Sequence, residues 1–106
     1  MAATNLYQPA KTPAEEESFE TLLQCRNISI EKIQSPPSTR SEIYDQVQDE
    51  WIALLQGQAS LQIEDRIVSL QSGDTLFIPA RTPHRVLKTS TDPTCIWLAV
   101  HIHASS

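Results

Sequence analysis

The sequence predicts a small all-β protein, an antiparallel barrel or jelly roll preceded by a short N-terminal helix. Three observations carry this. About eight short β-forming runs follow one another from residue 27 onward, with turn signals every several residues. The only two glycines, Gly57 and Gly73, each follow an apolar run and mark a turn where a side chain would obstruct the backbone. The 106 residues, 40% of them hydrophobic, suffice for one domain with a modest core.

The elements follow in order. Residues 1–11 read as a loose lead-in. Thr12-Pro13-Ala14-Glu15 has the features of a helix start: a capping hydroxyl, a proline suited to the first helical position and a carboxylate placed for a capping box. Glu15, Glu16 and Glu17 favour the positive end of such a helix, and Phe19, Leu22 and Leu23 share one face at helical spacing. Residues 1–24 are therefore expected to form an arm with a short helix, and residues 25–106 the barrel, as one folding unit.

The period then changes to two. Residues 27–33 alternate around Ile28, Ile30 and Ile33, and Ser35-Pro36-Pro37-Ser38-Thr39 interrupts them. Strands are expected over 42–48, 51–55, 59–63, 67–70, 75–78, 84–89 and 94–102. Tight turns fall at Glu64-Asp65-Arg66 and Ser72-Gly73-Asp74. Residues 51–55 and 95–100 are apolar on both faces, whereas a strand of an isolated barrel would show a polar outer face. Covering both faces needs the N-terminal helix, a second sheet or a second subunit, and a homodimer is expected.

Composition narrows the function. The formal net charge is −5, and the eight Lys and Arg form no stripe, which argues against nucleic acid or an anionic membrane as partner. No apolar run approaches membrane-spanning length, and the first twenty residues lack a secretory stretch, so a cytoplasmic location is expected. Cys25 and Cys95 are far apart and read as free thiols, Cys95 as core filler and Cys25 in a similar role.

The chemistry-bearing pattern is Glu50-x6-Gly57-x15-Gly73-x5-Pro79-x4-His84. It hangs a carboxylate and an imidazole on two different strands. Over residues 40–102 this spacing resembles the cupins, whose first motif is His-x-His-x3-4-Glu-x6-Gly and whose second is Gly-x5-Pro-x-Gly-x2-His-x3-Asn. Here Tyr44 and Gln46 stand at the two histidine positions of the first motif. Arg81 replaces the second-motif glycine and Lys88 the asparagine. The resemblance implies the cupin barrel. It also implies an interior site which, when complete, binds a divalent metal through three histidines and the glutamate.

Period two puts Tyr44, Gln46, Gln48 and Glu50 on a common side, and the resemblance turns that side inward toward His84. Tyr44, Gln46, Glu50 and His84 are therefore the candidate pocket residues. An ionised Glu50 inside a barrel costs several kcal/mol unless compensated. A metal, a protonated His84, or a proton on Glu50 itself would compensate it. The metal would be a divalent transition ion held by Glu50 and His84, with Gln46 or His101 as third ligand. An amide oxygen and a neutral phenol are weak donors for such an ion. His101 lies on the face of Trp97 and Ala99, whose direction the pattern leaves open. His103 is expected to be exposed. Trp51 and Trp97 read as core or interface anchors, and Arg81 and Arg85 as salt-bridge partners or as a clamp for an anionic substrate.

Three functions stay open at this point. The first is a barrel that binds a small-molecule ligand. The second is a metal-dependent enzyme of the oxygenase, isomerase or lyase type. The third is a structural or regulatory dimer with an inert interior.

Overall fold

From residue 49 onward, alternating side chains sort into two antiparallel sheets whose inner faces enclose the core. The computed structural model describes residues 3–8, 17–37 and 39–104. Its strands are β1 (Ser18–Cys25), β2 (Ile28–Ser35), β3 (Asp49–Gln56), β4 (Gln58–Ile63), β5 (Arg66–Gln71), β6 (Thr75–Ile78), β7 (His84–Thr89) and β8 (Cys95–Ile102). One sheet has the order β1-β2-β8-β3-β6 and the other β5-β4-β7.

The expected N-terminal helix is not found. Thr12 to Glu16 lie outside the described residues, and the segment carrying Phe19, Leu22 and Leu23 is strand β1. The reason is a β-bulge: β1 pairs with β2, but its register shifts between Thr21 and Leu23. Phe19 pairs with Ile33 and Leu23 with Ile30, so the two point to opposite faces of the sheet. An extra residue in a strand thus imitated helical spacing.

The expected strand over 42–48 is also replaced. The segment runs beside β7 and the loop before it, held by a single bridge between Tyr44 and His84. Backbone hydrogen bonds from Ser41 to Val86 (2.9 Å) and from Arg81 to Gln46 (2.7 Å) fix it on either side.

The core is built from inward residues of both sheets, including Ile52, Leu54, Leu61, Ile78, Trp97 and Ala99. Each fully buried aliphatic side chain of this kind stabilises by roughly 1.5–3 kcal/mol. Cys95 joins this core as expected, whereas Cys25, at the end of β1, is exposed. Gly57 adopts φ +96°, and a Cβ there would lie 2.8 Å from both Cys95 Sγ and Ser90 Oγ. The turn therefore depends on glycine for its conformation and for its space.

Two rows of residues cross the outer face of the five-stranded sheet. Phe77, Trp51, Val100, Ile30 and Leu23 are successive cross-strand neighbours, an apolar line over all five strands. The adjacent row includes Lys32, which is buried and donates to the Gln8 carbonyl, so the segment 3–8 lies against it.

Candidate functional site

Strand parity and the Tyr44 bridge together bring the predicted side chains to one place. Tyr44, Gln46, Glu50 and His84 all line an interior cavity of about 100 Å³, and His101 lines it too. Its walls are apolar: Ile52, Leu61, Ile78 and Val86 among others. A larger hollow of about 520 Å³ over Gln58, Ser60, Ser69 and Lys88 contains none of these groups.

Glu50 and His101 are direct cross-strand partners on β3 and β8, and Glu50 also faces Ile78 on β6. His84 opens β7 and enters from the opposite sheet. Its Nδ1 lies 2.9 Å from the Thr82 carbonyl, so the proton on that nitrogen is donated there, and Nε2 is left facing Glu50 Oε1 at 3.5 Å. Burial on its own draws the His84 pKa down. The bond to Glu50, the Thr82 carbonyl and the charges of Glu50 and Asp45 outweigh burial and hold it above its ordinary value. Tyr44 stacks obliquely on His84, with ring centroids 5.9 Å apart. Its hydroxyl is held above the usual phenol pKa by burial, then by the charges of Glu17, Glu42 and Glu50.

His101 faces the cavity, which settles the direction that the pattern left open. Its Nε2 lies 2.7 Å from Glu31 Oε1 and 3.8 Å from Glu50 Oε2, and Gln48 Nε2 lies 3.3 Å from its Nδ1. An amide NH₂ can only donate, so Nδ1 accepts, and the ring donates from Nε2 to Glu31.

Two cavity residues were missed in the sequence. Glu31 shares the inward parity of Ile33, but Ile28 and Ile30 on the other parity disguised it. Glu17 read as a helix start. It accepts a hydrogen bond from Ser35 Oγ at 2.8 Å, and Ser35 Oγ in turn accepts from Trp97 Nε1 at 3.0 Å. Burial raises the Glu17 pKa, and the Ser35 bond opposes that rise without cancelling it.

The other candidates sort simply. Arg81 pairs with Asp45 at 3.2 Å on the surface, and Arg85 donates to Gln62; neither lines the cavity. Asp49 accepts from the Ala80 amide. Trp97 is buried in the core and Trp51 lies in the outer apolar row. His103 is exposed.

As arranged, the donor set does not fit a metal. Among the described residues no three His, Cys, Asp or Glu side chains are disposed to hold one ion. The two imidazole Nε2 atoms are turned to carboxylates, His84 to Glu50 and His101 to Glu31. The motif positions 44 and 46 offer only a neutral phenol and an amide oxygen. That oxygen, Gln46 Oε1, is the one buried side-chain N or O atom among the described residues without a hydrogen-bond partner.

Comparison with known proteins agrees with this architecture. Residues 33–101 match the family model described as Cupin domain. A Ralstonia eutropha JMP134 protein proposed to be a mannose-6-phosphate isomerase is 33% identical, with a TM-score of 0.88 over 98% of this chain and 100% of that one. A cupin superfamily protein from Desulfitobacterium hafniense DCB-2 is 20% identical, with a TM-score of 0.76 over 98% and 100% of the two chains. KdgF from Halomonas sp. is 12% identical, with a TM-score of 0.77 over 95% and 94%. The last two show the fold alone. No curated protein matches. No helix among the described residues is long and apolar enough to cross a membrane.

Proposed function

The chain belongs to the cupin family, and from that premise we propose that it binds a small organic molecule in the interior of its barrel. One observation carries the reading: a polar floor of Glu50, His84, His101 and Gln46 under apolar walls, with Gln46 Oε1 buried and unpartnered. Ligand sites combine apolar walls with a few fixed polar groups in this way. An enclosed acceptor without a donor costs about 1–3 kcal/mol, which a bound donor would recover.

Sugar-phosphate isomerisation is the second reading, favoured by the 33% identity to the Ralstonia protein. In it, His84 and Glu50 would move a proton between adjacent carbons of the substrate. What weakens it is the absence of any Lys or Arg among the described residues lining the cavity to receive a phosphate. A metal-dependent enzyme would need Glu50, His84 and His101 turned toward one ion, an arrangement other than the one described above. One metal ion per chain in protein purified without chelator, lost in Glu50→Gln, would establish it.

The test is a melting screen of chelator-treated protein against a mixed metabolite set. A ligand at a hundred times its Kd stabilises by about 2.7 kcal/mol. A shift that disappears in Glu50→Gln while the fold persists supports the reading. No shift with any compound class, together with an unmoved Trp97 indole NMR signal, overturns it.

A further inference from the structure

We infer that the cavity selects a small organic cation, an ammonium group on a short apolar body, over sugar phosphates and carboxylates. This rests on the pocket reading above and names its ligand class. The argument begins with charge. Glu17, Glu31 and Glu50 all line the cavity, and no Lys or Arg does so among the described residues. The imidazoles do not balance three carboxylates: His101 donates its Nε2 proton to Glu31, and His84 can answer only Glu50.

Hydrogen-bonding capacity points the same way. His84 Nδ1 is committed to Thr82 and Trp97 Nε1 to Ser35, so neither is free for a guest. Gln46 Oε1, an acceptor, is buried there without a partner. A guest that brings donors would satisfy Gln46 Oε1 and the carboxylates together, and an ammonium is such a guest. A phosphate or carboxylate would add acceptors to a surplus of them.

The walls suit the rest of the molecule. Phe19, Tyr44 and Trp97 line the cavity beside the carboxylates. Aromatic faces attract ammonium groups, more strongly when water is excluded. The field is felt inside the site, since burial and then the charges of Glu17, Glu42 and Glu50 raise the Tyr44 pKa. The apolar side chains of Ile52, Leu61 and Val86 leave room for a short alkyl body and offer it no hydrogen bonds.

The experiment titrates the full chain at low ionic strength with four probes: butylammonium, butan-1-ol, butyrate and mannose 6-phosphate. The first three share a carbon skeleton and differ in charge. Binding is followed by calorimetry and by the Trp97 indole and His84 ring NMR signals. Butylammonium is expected to bind about tenfold or more tightly than butan-1-ol, the factor that a desolvated cation–aromatic and carboxylate contact supplies. Butyrate and mannose 6-phosphate are expected to leave the cavity signals unmoved. Glu31→Gln and Glu17→Gln, each checked by its melting curve and Trp97 signal, should weaken butylammonium severalfold and leave butan-1-ol unchanged.

Butyrate, butan-1-ol or the sugar phosphate binding as tightly as butylammonium would overturn the cation inference while leaving a ligand pocket standing. Butylammonium binding that neither variant weakens would overturn it as well, because the contact would lie elsewhere. If none of the four moves a cavity signal, the cation inference falls, and the metabolite screen decides the pocket reading separately.

Discussion

His84 donates through Nδ1 to the Thr82 carbonyl and turns its other ring nitrogen toward Glu50, 3.5 Å away inside the barrel. The pair links fold stability to pH. The folded-state pKa of His84 lies above its ordinary value near 6.5. Its contribution is therefore fully present below about pH 6.5 and is lost as pH rises through the folded-state pKa. Denaturant midpoints are expected to fall as pH rises above about 6.5, a slope that Glu50→Gln flattens. An NMR titration of His84 should give a midpoint above 6.5 in the wild type and a lower one in the variant. A wild-type midpoint at or below 6.5 would remove the basis for this coupling.

Ser35 joins Trp97 to Glu17 by accepting from the indole and donating to the carboxylate. Ser35 is almost fully buried, so Ser35→Ala strands the indole N–H without a partner. The cost should be about 1–3 kcal/mol, read as a lower denaturant midpoint with an unchanged m-value. Ser35→Thr keeps the hydroxyl and should recover part of the loss if its extra methyl is accommodated. A neutral Ser35→Ala would mean that the Trp97 N–H finds another acceptor.

The two glycines separate backbone strain from crowding. Both have φ in the left-handed region, +96° at Gly57 and +94° at Gly73. An alanine Cβ would meet nothing within 4 Å at Gly73 but would sit 2.8 Å from Cys95 Sγ and Ser90 Oγ at Gly57. Gly73→Ala should therefore cost about 1–2 kcal/mol, the strain alone. Gly57→Ala should cost at least about 1 kcal/mol more, since overpacking adds to strain. Equal midpoints for the two variants would show that the Cys95 contact relaxes without penalty.

How much of this was legible in the sequence depended on parity. From Trp51 onward the strands alternate regularly, and residues 51–55, 59–63, 75–78 and 84–89 could be placed from apolar periodicity and turn residues alone. Tyr44, Gln46, Glu50 and His84 were found because the motif spacing fixed them, although the segment holding Tyr44 and Gln46 is a bridged loop and not a strand. The failures share a cause. The bulge in β1 broke period two and produced a helix-like Phe19, Leu22, Leu23 pattern. In β2 the more regular apolar positions, Ile28 and Ile30, face outward, so the pattern does not single out Glu31, which faces the cavity. Where both faces of a sheet carry apolar residues, alternation locates the strand but does not say which side is in.

That outer apolar face yields the last prediction. Phe77, Trp51 and Leu23 are 51%, 36% and 50% exposed, and with Val100 and Ile30 they form one unbroken cross-strand row. A contiguous apolar line on a sheet is unusual for a monomer, and a two-fold axis on the sheet would set the row against its copy, burying both. The neighbouring row is taken up by Lys32 and the segment around Gln8, which leaves this line as the surface for a second copy. Sedimentation is expected to give twice the 11.9 kDa chain mass. Trp51→Glu combined with Phe77→Glu should yield a monomer, because burying four carboxylates against one another costs several kcal/mol. Both side chains point away from the cavity, so His84 and Trp97 should keep their NMR signals in that variant. A wild type that sediments as a monomer, or a doubly substituted chain that stays dimeric, would place the contact elsewhere or remove it.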